Sequence, residues 1–232
     1  MSEGIRLNKY LSEAGVCSRR EADRMVEAGR VQVDGVQAVM GQKVTDGQKI
    51  TIDHKPIKKE EEKILLAFHK PRGIVCTTSK KDKNNIVDYI NYGKRIYPVG
   101  RLDKDSDGLI LLTNQGELVD QILRGSNYHE KEYVVTVNKK ITKEFLHAMA
   151  SGVPILDTVT HPCKVEQINS HKFRIILTQG LNRQIRRMCE YFDYRVVKLT
   201  RVRIMNIRLE NLQSGTYRKI EGKEKEELIK LL

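Results

Sequence analysis

The sequence predicts an α+β protein of two domains, a small N-terminal unit followed by a larger one that mixes strands with helices. Three observations carry this. Residues 5–53 repeat turn signals between short periodic segments, residues 54–63 are dominated by charge, and from residue 63 onward short β-like runs alternate with helical patterns. That alternation has no strict βαβ rhythm and no glycine-rich phosphate loop, which leaves α+β or mixed α/β and argues against an enzyme that uses a nucleotide cofactor. A length of 232 residues suits either one large domain or two smaller ones. The charged stretch 54–63 reads as a linker between a 5–53 domain and a 64–232 domain; the alternative is a long hairpin loop inside one domain.

The N-terminal unit is legible element by element. Leu7 and Leu11, at i and i+4, mark a first helix that stops near Gly15. Ser18-Arg19-Arg20-Glu21 matches a capping box, Ala22, Met25 and Val26 form the apolar face of a second helix, and Gly29 ends it. Val31–Val33 and 36–40 then alternate around Asp34-Gly35, the dipeptide that tolerates positive φ in a tight hairpin turn. Arg19 and Arg20 sit on the first turn of the second helix, where the dipole disfavours cations and the backbone N–H groups favour anions. A phosphate placed there reverses the penalty, and Lys9 and Arg30 extend the basic face; the competing reading is a solvated basic helix face.

In the larger unit the patterns predict strands over 64–68, 73–77, 109–113, 132–137, 173–177 and 196–209. Helices are expected over 86–92, 117–124, 142–151 and 182–192, with a short amphipathic helix over 223–232. Lys and Arg number 42 against 30 Asp and Glu, a formal charge of +12. Such an excess concentrates polyanions at the surface, so nucleic acid is the leading partner, ahead of a merely solubilising role and of small acidic substrates. No window approaches the roughly 18 apolar residues of a spanning helix, and Met1 to Arg6 lacks a signal-peptide core, which together predict a soluble cytoplasmic protein. Cys17, Cys76, Cys163 and Cys189 lack C-x-x-C spacing and His129-Glu130 lacks the second His of a zinc motif, so no metal site is expected.

Two segments carry chemistry. Tyr97-Pro98-Val99-Gly100-Arg101-Leu102-Asp103 brings a single carboxylate behind a rigid Pro and a permissive Gly, whereas Lys104, Asp105 and Asp107 read as a solvated turn. The second segment, Gln179 to Cys189, passes through Gly180 into a helix with Asn182 as its N-cap. Ile185, Met188, Cys189 and Phe192 make the packing face, Arg183 and Arg187 project elsewhere, and Arg186 lies at the margin. A partly buried Arg186 needs a carboxylate, and Asp103 suits it, since a guanidinium within a few Å favours the ionised form and fixes its rotamer. The competing reading is a helix whose arginines all reach water.

With these segments in view, the chain resembles the pseudouridine synthases of the RsuA/RluB/RluE/RluF family over nearly its whole length. Residues 5–53 resemble the S4 RNA-binding domain through Arg6-Leu7-Asn8-Lys9-Tyr10-Leu11, Cys17 to Ala22 and Gly29 to Gly35. The rest resembles the catalytic domain through Lys70-Pro71-Arg72-Gly73, Gly100-Arg101-Leu102-Asp103, His129-Glu130-Lys131-Glu132-Tyr133 and Gly180 to Met188. The phrases over 124–133, 151–156 and 203–206 resemble the RluF-type branch, which acts on 23S ribosomal RNA. The resemblance implies a mixed, mainly antiparallel sheet with flanking helices and the isomerisation of uridine to pseudouridine in structured RNA, ribosomal or transfer, by a monomer without cofactor or metal. It implies that Asp103 reacts covalently, at the sugar or at the base, with Arg186 keeping it ionised. Tyr133 would stack on the uracil and serve in removing the C5 proton, with Leu102 and Ile185 lining the pocket. Arg101 would occupy the space that the extruded base leaves. Lys9, Arg19, Arg20, Arg30, Lys70, Arg72, Arg183 and Arg187 would contact RNA.

Overall fold

Six consecutive buried residues, Gly108 to Thr113, make the strand Asp107–Thr113 a central one, covered on both faces. In the computed structural model, which describes residues 4–57 and 62–232, this strand belongs to a nine-stranded sheet. The main path runs Lys164–Asn169, Lys172–Leu177, Lys131–Val137, Val196–Ile204, Asp107–Thr113, Leu65–Lys70, Tyr217–Lys219. Only the pairing of Val196–Ile204 with Asp107–Thr113 is parallel; the other pairs are antiparallel, so the sheet is mixed and mainly antiparallel.

Asp107–Thr113 shares one of its edges between two partners. Thr200 and Arg201 lie beside Asp107 and Gly108, while Tyr97–Val99 runs antiparallel beside Leu111 to Thr113. The chain therefore leaves the sheet at Val99 and re-enters it at Asp107, and the loop 100–106 fills the interval. Helices Gly116–Leu123, Lys143–Ser151, Gln184–Tyr191 and Gly222–Lys230 flank the sheet. One apolar cluster gathers Val135, Phe145, Met149, Phe173, Ile185 and Met188, and a second gathers Ala67, Leu109, Leu111, Ile122, Ile207 and Leu228.

The N-terminal residues form a separate compact unit. Leu7–Glu13 and Arg19–Glu27 pack Leu7, Leu11, Ala22 and Val26 with Val31, Val33 and Ile50. Half of the capping box forms: the Glu21 N–H donates to Ser18 Oγ at 3.2 Å, while the Glu21 carboxylate turns outward to Arg24 at 2.9 Å. Asp34 and Gly35 both take positive φ, as the hairpin turn requires. The strand Lys55–Pro56 pairs with Ile50–Ile52, so this part of the expected linker belongs to the sheet of the first unit. The remainder of the linker includes 58–61, outside the described residues.

Three expectations fail for identifiable reasons. Residues 73–77 form no strand, because their backbone groups serve loop contacts: Gly73 N–H donates to the Lys104 carbonyl, the Ile74 carbonyl accepts from Lys70, and Val75 exchanges bonds with Asn84 and Ile86. The expected 196–209 strand breaks at Met205, whose φ is 51°, into Val196–Ile204 and Ile207–Arg208. Lys164–Asn169 was not expected as a strand, because an edge strand with all but one residue exposed needs no apolar alternation. The four cysteines are free thiols, and burial pushes Cys163 up to about 11 and Cys189 up to about 12. Among the described residues no helix is long and apolar enough to cross a membrane.

Candidate active site

The loop 100–106 is held from beneath by neighbours in its own unit. Leu102 N–H donates to Cys76 Sγ at 3.4 Å, and the Lys104 carbonyl accepts from Gly73 N–H at 2.7 Å. Lys70, fully buried at the end of Leu65–Lys70, donates its ammonium to the Pro71 and Ile74 carbonyls, both at 2.9 Å. Burial lowers its pKa, opposed by nearby Cys76, Asp107, Asp103 and Asp105. This corrects the expectation that Lys70 contacts RNA: a side chain with no exposed surface cannot reach a phosphate, and its work is to shape the loop 71–74.

Helix Gln184–Tyr191 brings two arginines onto the same loop. Its N-cap is Arg183 in a left-handed conformation, not Asn182, because the Gln184 side chain closes the turn by accepting from Leu181 N–H at 3.1 Å. Arg186, 7% exposed, lies with Nε 3.7 Å from Asp103 Oδ2 and Nη2 3.3 Å from Asp105 Oδ2. The same Nη2 donates to Ser106 Oγ at 3.1 Å and to the Asp105 carbonyl at 3.3 Å. Arg183 reaches Asp103 at 3.7 Å and Asp105 at 3.3 Å. A separation of 3.7 Å is a charge contact rather than a hydrogen bond, so Asp103 meets two guanidiniums while its carboxylate stays open to a reactant. Asp105 is the more tightly held: burial works to raise its pKa, and Arg183 and Arg186 outweigh it, leaving the carboxyl below its ordinary range.

The reading of residues 104–107 as a solvated turn therefore holds for Lys104 and for the exposed backbone turn at Asp105, but not for Ser106 or Asp107. Asp105 is clamped by arginines, Ser106 is fully buried, and Asp107, with a side chain 13% exposed, accepts from Thr200 Oγ1 at 2.9 Å.

Asp103 lines a cleft of about 890 Å³ together with Arg101, Leu102, Tyr133, Ile185 and Arg183. Arg186 stands behind the carboxylate, in the wall. Tyr133 is half-buried, its ring resting on the cluster that contains Ile185, while Arg101 is exposed at the rim. A second cleft of about 870 Å³ shares Arg101, Leu102, Asp103 and Arg183 and adds Arg72 and Lys104. Asp103 thus sits on a wall common to both cavities. Its carboxylate is the sole one lining the larger cleft among the described residues, beside five Lys and Arg side chains.

The remaining basic residues are scattered. Arg72 is exposed and donates to the Val197 carbonyl at 3.0 Å, and Arg187 folds back onto Asn182 at 3.1 Å and 3.2 Å. Lys9, Arg19, Arg20 and Arg30 belong to the first unit. Lys9 pairs with Glu13 at 3.6 Å and Arg30 with Asp53 at 3.0 Å, whereas Arg19 and Arg20 are exposed. Sequence reasoning missed Lys131 and Arg201, which also line the larger cleft. The signal for Lys131 was available: it stands two residues before Tyr133 on one strand, hence on the same face.

Comparison with known proteins settles what this arrangement belongs to. A family model described as RNA pseudouridylate synthase matches residues 64–191, more than half of the chain, and an S4 domain model matches residues 5–50. The chain belongs to the RNA pseudouridylate synthase family. It is 54% identical over 229 residues to the dual-specificity RNA pseudouridine synthase RluF of Salmonella typhi, covering 98% of this chain and 79% of that protein. The corresponding protein of Escherichia coli strain K12 is 53% identical over 230 residues, with the same coverage. The ribosomal large subunit pseudouridine synthase B of Bacillus subtilis strain 168 is 33% identical, covering 94% of this chain and 93% of its own. A crystal structure of a pseudouridylate synthase superposes with a TM-score of 0.71 at 26% identity, covering 98% of this chain and all of the other. As a synthase of this family, the protein is an isomerase that acts on RNA.

Proposed function

We propose that the protein converts a uridine of large-subunit ribosomal RNA to pseudouridine with Asp103 as its nucleophile, and that it accepts a second class of RNA. The observation that carries the chemistry is the isolation of Asp103 in the cleft, faced by Arg183 and Arg186 and open on the side of Tyr133. The large-subunit substrate is supported by the name of the Bacillus subtilis relative, and the second substrate by the dual specificity in the names of the RluF relatives. A small-subunit RNA or a transfer-RNA stem-loop is the alternative target.

In this proposal the target nucleotide leaves its helix, at a cost of about a few kcal/mol, and Arg101 at the rim stacks in its place. The base enters between Tyr133 and the apolar side chains of Leu102 and Ile185. Asp103 attacks the ribose or the pyrimidine, the glycosidic bond breaks, and the base turns so that C5 joins the ribose carbon. Tyr133 assists removal of the C5 proton. Arg186 holds the nucleophile in position. The exposed cations Arg19, Arg20, Arg72 and Arg183 meet phosphates, supplying the salt-dependent part of binding. We place that action in the cytoplasm, by a monomer.

Asp103→Asn tests the proposal. The variant should form no pseudouridine while its affinity for the RNA stays within a few-fold of the wild type, and full activity would overturn the assignment. Pseudouridine mapping of ribosomal and transfer RNA from cells that lack the protein identifies the target.

A further inference from the structure

Two cations lining the larger cleft form no ion pair with a carboxylate among the described residues. Lys131 and Tyr133 share one face of the strand Lys131–Val137, and Arg201 lies directly opposite Tyr133 on Val196–Ile204. Arg201 is 4% exposed, and its Nε donates to the Leu109 carbonyl at 2.7 Å, its Nη1 to the Arg101 carbonyl at 3.4 Å. Its Nη2 has neither a hydrogen-bond partner nor solvent, an uncommon state for a buried donor. Lys131 is half-buried and spends one donor on the His129 carbonyl at 3.2 Å, which leaves two ammonium protons free for the cleft. Burial first, and the charge of Arg201 second, push the Lys131 ammonium below its ordinary range; no carboxylate acts on it in return.

The position of this pair separates it from the cations suited to the RNA backbone. Arg101, Arg124 and Arg183 line the same cleft but are exposed, where a solvated polyanion can meet them. Lys131 lies about 7 Å along the strand from Tyr133, on the apolar floor with Leu177 and Leu199. A uracil stacked on Tyr133 with a carbonyl turned along the strand would meet this ammonium.

Resting on the function proposed above, we infer that Lys131, with Arg201 fixed behind it, receives the negative charge that the pyrimidine acquires during the reaction. If Asp103 attacks the sugar, the C1′–N1 bond breaks with its electron pair leaving on N1, shared with O2 and O4, while the carboxylate takes C1′. If Asp103 adds to C6 of the ring, the C5–C6 π pair moves to C5 and O4. In the first course C5 then bonds C1′ and displaces the carboxylate; in the second the C1′–N1 bond breaks with its pair on N1, C5 bonds C1′, and loss of the C5 proton restores the C5–C6 double bond and expels the carboxylate from C6. In both the pyrimidine carries negative charge until C5 bonds C1′, and the C5 proton lost is balanced by the proton that N1 takes up. A preorganised cation stabilises that charge far more than it stabilises neutral uridine, so the contact favours the transition state over the bound substrate.

The test compares wild type, Lys131→Met and Lys131→Arg in single turnover on a large-subunit ribosomal RNA transcript that the wild type modifies. Lys131→Met should lose about 100-fold in rate while the RNA affinity and its salt dependence stay unchanged; Lys131→Arg should recover at least about tenfold of that loss. On a transcript with 5-fluorouridine at the target, whose ring accommodates negative charge more readily, the loss of target nucleoside should be slowed much less by Lys131→Met. An unchanged rate overturns the inference. So does an equal loss on both transcripts, which marks a structural role, or weaker binding with a shallower salt slope, which marks a phosphate contact. Wild-type turnover of the uridine transcript is the control that separates failure of this inference from failure of the function on which it rests.

Discussion

Gly108 faces Arg201 across the one parallel step of the sheet so closely that a Cβ on Gly108 would lie 2.3 Å from the Arg201 carbonyl oxygen and 2.5 Å from its nitrogen. The backbone of Gly108 also has φ of 116°, a region that L side chains rarely adopt. This glycine lets Val196–Ile204 dock beside Asp107–Thr113, and it sets the height at which Arg201 enters the cleft floor.

Gly108→Ala should therefore lower stability by about 3 kcal/mol, near the upper end for single substitutions. Thermal unfolding should read this as a fall in melting temperature of about 6–12 °C. Gly47→Ala is the matched control, because Gly47 also has positive φ but its added Cβ meets nothing within 4 Å. A Gly108→Ala variant no less stable than the Gly47→Ala variant would show that the sheet accommodates the clash.

Arg186 ties Asp103, Asp105 and Ser106 to helix Gln184–Tyr191 through one planar group. Arg186→Met should cut kcat by about a hundredfold or more with little change in KM for RNA, the pattern of a group that positions the nucleophile. Arg186→Lys keeps the charge but not the fork, so its kcat should fall between the two. Equal kcat in all three proteins would remove Arg186 from the mechanism.

Arg19 and Arg20 are exposed on the first turn of Arg19–Glu27, where the helix dipole works against them until an anion arrives. Replacing both by Ala should weaken RNA binding and make the log–log salt dependence shallower by about 1 to 2. The folded state should be no less stable. An unchanged salt slope in a binding titration would assign the basic face to solvation.

Much of this protein was legible before any coordinates. Amphipathic periods and turn residues located the helices 7–13, 19–27 and 143–151 and the hairpin at Asp34-Gly35, because these are local properties of the chain. The motif residues Asp103, Tyr133 and Ile185 do line one cleft, and Arg186 does stand at the carboxylate. The illegible parts share a physical cause. Lys70 looks like any surface lysine in sequence, and its burial depends on carbonyls supplied by the loop that follows it. Asp105 and Asp107 look like a solvated turn, and they are claimed by Arg183, Arg186 and Thr200, all more than 75 positions away.

The amino-acid order by itself determined most of the local elements and the basic character, since propensity and charge are short-range information, and its resemblance to a family pointed to the candidate nucleophile. Tertiary structure alone decided which charges are answered. Whether a lysine or arginine meets a carboxylate, a carbonyl or nothing depends on strands brought together from distant segments, and a buried charge is stable only with the partners that this assembly provides. Lys131 and Arg201 became visible as two cations of one cleft only once the register of Lys131–Val137 against Val196–Ile204 set Arg201 opposite Tyr133, two residues along the strand from Lys131.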